Sequence, residues 1–319
     1  MPAVTVDDPR LLPRIPEPVP GSGSERSVRS ISTAPAGYEG DGFPVRRGFA
    51  GVATAWLDPF LHLDQIGEID YAPGEPRGTP WHPHRGFETV TYVMDGAFEH
   101  QDSHGGGGLI RDGDTQWMTA GSGLLHIERP PEPLIASGGP FHAIQLWVNL
   151  PRARKWSPPR YQSIPADRVL LLASPDAGAL VRVIAGELAG HRGPGVTHTA
   201  ITLVHASLAP GARLRLPWPN RQNALVYQLA GQCRVGPARH PLTRGQLAVL
   251  GDGDTLTIDA PGGRPGDPDT GELLILGGVP IREPVVAYGP FVMSTREEIR
   301  HALEDYQAGR MGSIPVARD

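Results

Sequence analysis

Two short segments of this 319-residue chain determine its predicted fold: HPHRGFETVTY at residues 82–92 and GSGLLHIE at residues 121–128. Each segment carries two potential metal ligands separated by one residue, and these are His82, His84, His126 and Glu128. Residues i and i+2 of a β-strand point to the same face, so each pair is predicted to project together. If the two strands face each other inside one β-barrel, three imidazoles and a carboxylate converge, a set that suits Fe, Ni, Cu, Mn or Zn.

The residues that follow His84 predict which face of its strand is buried. The even-numbered positions continue the histidine face and are mostly apolar: Val90, Tyr92 and Met94. The odd-numbered Thr89 and Thr91 are polar, so the even face is predicted to line the barrel interior. Glu88 lies on that face and is a candidate for the pocket around the metal. Pro83 cannot donate to a β-ladder, which places the ligand pair at a strand start near the barrel mouth.

The content of glycine and proline indicates an all-β protein. Gly 41 and Pro 35 make up about a quarter of the chain, yet 39% of the residues are hydrophobic and form short β-type runs between turns. A weak internal repeat relates VTYVMDG at residues 90–96 to LVYQLAG at residues 225–231, which predicts two copies of one barrel. The positions that match His82 and His84 fall at about Pro217 and Pro219, so only the first barrel is predicted to bind a metal.

Charge and cysteine content narrow the class of protein. The net charge is −5, and the one small basic cluster at residues 152–155 is predicted to be a solvated loop, so we expect no direct nucleic-acid binding. Cys233 is the single cysteine, which suits a reducing compartment. The first 20 residues do not resemble a signal peptide, and no apolar run is long enough for a membrane helix. A cytoplasmic protein is predicted.

One helix is predicted near the C-terminus, over residues 295–308. Ser294 and Glu297 have the spacing of a capping box, and apolar residues then recur at helical intervals. The predicted organisation is a loose extension at residues 1–25, the metal-binding barrel at 26–155, a connecting segment at 156–192, the barrel without metal at 193–290, and the helix and tail at 291–319.

Several residues are candidates for the surroundings of the metal. His100 and Asp102 share a strand face, which is consistent either with support of the metal ligands or with ordinary structural hydrogen bonding. Gln145 either points into the pocket or is a half-buried strand residue. The four glycines at 105–108 are interpreted as a flexible hairpin loop, because no Gly-Lys-Ser/Thr motif follows that would indicate a phosphate site.

The chain resembles the pirin family of the cupin superfamily over roughly residues 26–310. The motifs that carry the resemblance are HPHRGFETV at 82–90, HxDSxG at 100–105, QWMTAGxG at 116–123, LHxE at 125–128, QLWVNL at 145–150 and GPFVM at 289–293. The resemblance implies two cupin-type barrels (double-stranded β-helices, or jelly rolls) in one chain. It also implies that the metal ligands are His82, His84, His126 and Glu128.

The resemblance implies a quercetin 2,3-dioxygenase-type enzyme, which cleaves a flavonol with dioxygen at one divalent metal. We expect Fe(II), with Ni, Cu, Mn or Zn as alternatives, and Glu128 as both ligand and proton acceptor. Four protein ligands leave two positions of an octahedral metal open for catalysis, but the same residues could hold a closed structural zinc. The alternative function is an iron- or redox-sensing co-regulator that binds a protein partner.

Overall fold

Two β-barrels form the protein in its computed structural model, which describes residues 5–18, 23–262 and 271–315. This confirms the predicted all-β fold with a short C-terminal helix. In each barrel a seven-stranded sheet faces a four-stranded sheet, and neighbouring strands of both sheets are antiparallel. Two-stranded ribbons lie outside the barrels.

The first part of the chain contributes twelve strands and two short helices to the described structure. The strands are β1 Val28–Thr33, β2 Ala36–Glu39, β3 Phe43–Arg47, β4 Phe60–Tyr71, β5 His82–His84, β6 Phe87–Asp95, β7 Ala97–Asp102, β8 Gly107–Arg111, β9 Thr115–Thr119, β10 Leu124–Arg129, β11 Gly139–Asn149 and β12 Arg160–Ile164. The helices are α1 Thr54–Leu57 and α2 Glu132–Ser137. The sheets of the first barrel have the orders β12-β9-β6-β11-β4-β3-β2 and β5-β10-β7-β8.

The second part of the chain repeats this arrangement. Its elements are β13 Leu170–Ala173, β14 Ala179–Ala185, β15 Glu187–Leu188, β16 His191–Arg192, β17 Ile201–Leu208, β18 Arg213–Pro217, β19 Asn223–Ala230, β20 Gln232–Val235, β21 His240–Thr243, β22 Gln246–Leu250, β23 Thr255–Asp259, β24 Gly271–Gly278, β25 Val286–Tyr288, β26 Phe291–Met293 and α3 Arg296–Gln307. The sheets of the second barrel have the orders β1-β22-β19-β24-β17-β14-β13 and β18-β23-β20-β21.

The alternation of side chains along the large sheets produces separate hydrophobic layers. One face of each large sheet lines its own barrel, and the other face packs against the other barrel. The layer between the barrels includes Val90, Tyr92, Met94, Leu203, Leu225, Tyr227 and Leu274. Burial of this layer joins the two barrels through a large apolar contact.

The prediction that the even-numbered residues after His84 line the barrel interior is wrong. β5 and β6 belong to different sheets, and the break at residues 85–86 interrupts the alternation of faces. Thr91 Oγ1 donates a hydrogen bond to a Glu128 oxygen inside the barrel, at 2.9 Å. The Tyr92 hydroxyl instead lies 2.8 Å from Nδ1 of His205 in the second barrel. The odd-numbered residues of β6 therefore line the first barrel.

The N-terminal part of the chain packs on the second barrel, which corrects the predicted boundaries at residues 1–25 and 26–155. β1 pairs antiparallel with β22 of the second barrel. Ile15 is fully buried in the core of the same barrel, so this part of the predicted extension is not loose. Residues 1–4 and 19–22 of the extension lie outside the described residues. An alternating pattern predicts a strand but does not indicate its partner, which is why the sequence misplaces β1.

A buried arginine fixes the start of β1 to the second barrel. Arg26 donates from Nη1 to the carbonyl oxygen of Gly251 at 2.7 Å, and from Nη2 to those of Pro219 and Gln222, both at 2.9 Å. Three charge-assisted hydrogen bonds hold the two terminal nitrogens of this guanidinium, which is removed from water, whereas its Nε is buried without a partner.

The segment predicted to connect the barrels, residues 156–192, is divided between them. β12 joins the large sheet of the first barrel, whereas β13 and β14 join that of the second. The C-terminal strand β26 returns to the first barrel, where the amide of Val292 donates to the carbonyl oxygen of Arg85 at 3.0 Å. β1 thus belongs to the second barrel, and β26 contacts the first. The remaining domain boundaries stay predictions.

Helix α3 begins one residue later than the capping box predicted from Ser294. Thr295 is the N-cap, and its Oγ1 accepts from the amide of Glu298 at 3.1 Å, while the Glu298 carboxylate accepts from the amide of Ser294 at 3.0 Å. Buried Ile299 and Ala302 pack the helix against β26. Over the described ranges, no helix has the length and apolar character that a bilayer crossing needs.

Candidate metal centre

β5 and β10 bring three histidines together in the first barrel. In this antiparallel pair His126 lies opposite His82, and Leu124 lies opposite His84. The ring centroid of His126 is 4.2 Å from that of His82 and 4.8 Å from that of His84. One ligand atom from each histidine lies within 4.8 Å of the other two. This group is able to bind one metal ion.

Backbone carbonyls orient two of the rings toward this common point. Nδ1 of His82 lies 2.8 Å from the carbonyl oxygen of Pro80, and Nδ1 of His84 lies 3.2 Å from that of Pro290. A carbonyl only accepts hydrogen bonds, so each Nδ1 carries the proton and each Nε2 keeps its lone pair. Nε2 of His126 is buried without a protein partner. Unprotonated, unpartnered ring nitrogens of this kind fit a metal ion.

The surroundings of His84 and His126 favour the neutral form of both rings. Burial lowers the pKa of His84 and of His126 well below the ordinary value of 6.5, and the imidazole of His82 lowers both further. Neutral imidazole is the form that binds metals, whereas a protonated ring would repel a cation.

Glu128, the predicted fourth ligand, lies beside this group and is held by three hydrogen bonds. One carboxylate oxygen accepts from Thr91 Oγ1 at 2.9 Å and from Gln116 Nε2 at 2.7 Å, and the other accepts from Gln145 Nε2 at 2.8 Å. The carboxylate is within 4.8 Å of ligand atoms of His126 and His100. Among the described residues, Glu128 belongs to no such group with His82 or His84.

The donors to Glu128 belong to one row of residues that crosses the large sheet. Gln145 on β11 is paired with Thr91 on β6 and with Asp64 on β4, and Thr91 is paired with Gln116 on β9. Directly paired residues of neighbouring strands point to the same face. Of these donors, only Gln145 is predicted from the sequence. The break in alternation at residues 85–86 was the signal that could have revealed the other donors.

The other candidates for the surroundings of the metal are placed differently. Nδ1 of His100 lies 3.3 Å from Nδ1 of His126, so His100 contacts the histidine group from inside the barrel. Oδ1 of Asp102 accepts from the amides of His104 and Gly106, at 2.8 and 2.9 Å, and thereby shapes the glycine-rich loop. The other Asp102 oxygen is 3.7 Å from His100.

Glu88 points away from the metal group. Its two carboxylate oxygens accept from Thr119 Oγ1 at 2.8 Å and from Thr197 Oγ1 at 2.9 Å. Thr197 precedes β17 of the second barrel, so Glu88 connects the two barrels. The cause is the same shift in alternation that redirects the even face of β6.

An aromatic surface lies next to the histidines. The ring centroid of Trp147 is 5.2 Å from His84, 4.4 Å from Phe87 and 5.1 Å from His62. Trp147 and His62 are directly paired on β11 and β4 and are both half-buried. A planar ligand near the metal group can therefore contact Trp147.

The single lysine of the chain supports the strand that carries His84. Lys155 is buried, and its Nζ donates to the carbonyl oxygens of Gly86 and Val292, both at 2.9 Å, and to Oδ1 of Asn149 at 2.7 Å. Burial lowers the pKa of Lys155 to about 8. The predicted solvated loop is therefore wrong for this residue.

Gly86 is required where the C-terminal strand approaches this lysine. Its φ is +91°, and a Cβ at this position would overlap the carbonyl oxygen of Val292. A side chain at residue 86 would thus separate β26 from the strand that carries His84.

Comparison with known proteins assigns the family. A family model described as "Pirin" matches residues 42–148, and one described as "Pirin C-terminal cupin domain" matches residues 203–312. The chain belongs to the pirin family. This membership confirms the resemblance carried by the sequence motifs and identifies both barrels as cupin domains.

Relatives within the pirin family carry two kinds of name. A protein named "Putative quercetin 2,3-dioxygenase" from Pseudomonas aeruginosa is 43% identical over 86% of this chain and 93% of its own length. Pirin from Homo sapiens is 37% identical over 91% of this chain and 95% of its own length. A crystal structure of quercetin 2,3-dioxygenase from Acinetobacter baumannii is 36% identical, with a TM-score of 0.84 over 92% of this chain and all of that one.

Proposed function

We propose that this pirin is an oxygen-dependent dioxygenase that acts on flavonol-type substrates at a mononuclear metal in the first barrel. The observation that carries the proposal is a group of three convergent histidines with a carboxylate, Glu128, held beside it. A hydrogen-bond acceptor and a metal-binding group at one barrel mouth are what proton removal from an enolisable hydroxyl requires. The names of two relatives, which refer to quercetin 2,3-dioxygenase, support the substrate class.

The proposed ligands are His82, His84, His126 and Glu128, and the proposed metal is Fe(II), with Ni, Cu, Mn or Zn as alternatives. When bound, a divalent metal would act as a Lewis acid toward an oxygen atom of the substrate. Nitrogen and carboxylate donors of this kind are used for such metals in open catalytic sites. We propose one metal per chain, in the first barrel.

Glu128 has the role of proton acceptor in this proposal. Thr91, Gln116 and Gln145 hold its oxygens in fixed directions, so the carboxylate does not need to reorganise when a substrate hydroxyl approaches. Trp147 binds the planar rings of the substrate and excludes water from the side of the pocket next to His84.

Oxygen uptake tests the proposal. Protein cleared of metal by chelation is reloaded without oxygen with each candidate metal, its metal content is measured by mass spectrometry, and oxygen consumption is followed with quercetin and other flavonols. We expect consumption in proportion to bound metal for at least one metal. Fully loaded protein that consumes no oxygen with any flavonol would contradict the proposal. The alternative, a co-regulator that binds a protein partner, would then take its place.

A further inference from the structure

Two residues of β4, His62 and Asp64, face the interior of the metal barrel. Asp64 is paired with Gln145, whose side chain reaches Glu128, and His62 is paired with Trp147, whose ring lies against His84. Paired residues project from the same face of a sheet. The intervening Leu63 belongs to the apolar layer between the barrels, as the alternation requires.

His62 and Asp64 form a polar pair with unused hydrogen-bonding capacity. Nε2 of His62 lies 3.0 Å from Oδ2 of Asp64, whose side chain is 3% exposed. Oδ1 of Asp64 is buried without a partner. A buried carboxylate oxygen that accepts no hydrogen bond is costly in free energy, which indicates a position where a donor from a ligand belongs. His62 is 29% exposed and connects this position to the mouth of the barrel.

The ring of Trp147 connects the His62–Asp64 pair to the three histidines proposed to bind the metal. The ring of Trp147 contacts both His84 and His62, with ring centroids 5.2 and 5.1 Å away. Nε1 of Trp147 is a second buried group without a partner, and it is a donor. A flat molecule that contacts Trp147 and has one end at the histidine group can therefore reach His62 and Asp64 with its other end.

We propose that the His62–Asp64 pair binds a phenolic hydroxyl of the substrate, at the end of the molecule remote from the metal. Oδ1 of Asp64 accepts the phenolic O–H, and His62 keeps the carboxylate in place. This inference rests on the proposed function for the substrate class and adds the group that selects among flavonols. A site built to accept a hydroxyl rejects an analogue that lacks it, because its polar group is then left unpaired.

Ligand binding without oxygen tests the inference separately from turnover. Metal-loaded protein is titrated by calorimetry with quercetin, with the analogue that lacks both hydroxyls of the pendant ring, and with one that lacks the hydroxyls of the fused ring. We expect wild type to bind quercetin about 10- to 100-fold more tightly than one of the two analogues. Asp64→Asn should remove most of this preference while binding of that analogue changes little.

Controls separate loss of recognition from loss of structure. Each variant is compared with wild type in metal content and thermal midpoint, and His62→Gln provides a second variant at a more exposed position, expected to reduce the preference in the same direction. His240→Gln, an exposed histidine of the second barrel, should leave the preference unchanged.

Two outcomes would overturn the inference: equal discrimination by wild type and a folded, metal-loaded Asp64→Asn, or no binding of any of the three flavonols. Turnover of the flavonols is measured separately, by oxygen uptake. If quercetin is consumed but discrimination does not depend on Asp64, only the inference fails. If discrimination depends on Asp64 but no flavonol consumes oxygen, the inference stands and the proposed function fails.

Discussion

The two barrels share one strand arrangement, but one row of interior side chains is polar in the first barrel and apolar in the second. The polar row across β4, β11, β6 and β9 in the first barrel consists of Asp64, Gln145, Thr91 and Gln116. The row in the corresponding strands β17, β24, β19 and β22 of the second barrel consists of Val204, Ile275, Val226 and Ala248. Polar groups therefore occupy an interior position that packing alone fills with apolar side chains.

The small sheets repeat this contrast. Where the first barrel pairs His82 with His126, the second barrel pairs β18 and β23 through buried Leu214, Leu216, Leu256 and Ile258. A barrel of this arrangement therefore does not need the histidine group for its own packing. The second barrel is a control for the first within the same chain.

The largest expected effect comes from His84→Ala, which replaces one imidazole of the first barrel by an apolar side chain like those in the small sheet of the second barrel. Loss of one imidazole should weaken metal affinity by more than the roughly 10- to 100-fold typical of residues that only support a ligand. The thermal midpoint of the metal-free protein should change little, because the apolar core lies elsewhere. Competition with a chromophoric chelator gives the affinity, and His240→Ala is the matched control.

Replacing Glu128 separates its proposed role in metal binding from its proposed role as proton acceptor. Glu128→Gln keeps the size of the side chain and one neutral oxygen but removes the proton acceptor. We expect partial metal retention and a fall in flavonol turnover of about 10²- to 10⁴-fold. Turnover is divided by bound metal for each preparation. A variant that turns over flavonol in proportion to its metal would show that Glu128 acts only as a ligand.

A reciprocal exchange of side chains tests one pair of corresponding positions, residues 91 and 226. Thr91→Val removes one donor from Glu128 and should lower turnover about tenfold with little change in stability. Val226→Thr buries a hydroxyl in the apolar row of the second barrel and should cost about 1–3 kcal/mol of unfolding free energy. Urea unfolding and oxygen uptake are measured for both variants. If Thr91→Val and Val226→Thr lowered the unfolding free energy equally, the proposed difference between the two barrel interiors would be contradicted.

The last comparison concerns two buried cations, Lys155 beside β26 and Arg26 at the start of β1. Because burial lowers the pKa of Lys155 from 10.5 to about 8, the cost of burying its charge is fully present below pH 8 and is relieved as the pH rises toward 10.5. Unfolding free energy relative to Lys155→Met should increase between pH 8 and 10 by at most about 1.4 kcal/mol per pH unit.

Arg26→Met provides the control for this pH dependence. A guanidinium stays protonated throughout that range, so the stability difference between wild type and Arg26→Met should not change with pH. A flat profile for Lys155→Met as well would mean that the three oxygen acceptors of Lys155 compensate fully for its burial.

Local patterns in the sequence predict the parts of this structure that local geometry determines. The i, i+2 spacing of the histidines predicts that His82 and His84 project together, and the repeated strand-glycine units predict the two barrels, as the structure has them. The polar row was missed because alternation fails across residues 85–86, where the chain changes sheets. Lys155 was misplaced because its oxygen partners at Gly86 and Val292 are distant in sequence, and no local pattern connects them.

The contact between His84 and Pro290 has a consequence for the order in which the protein is made. The two residues are 206 positions apart, and the carbonyl that orients His84 belongs to a segment near the C-terminal end. A ribosome has therefore released all four proposed ligands long before this carbonyl leaves it. During most of synthesis the nascent chain can present the histidines but not their final orientation, so a metal captured early meets a different environment from the one in the finished protein.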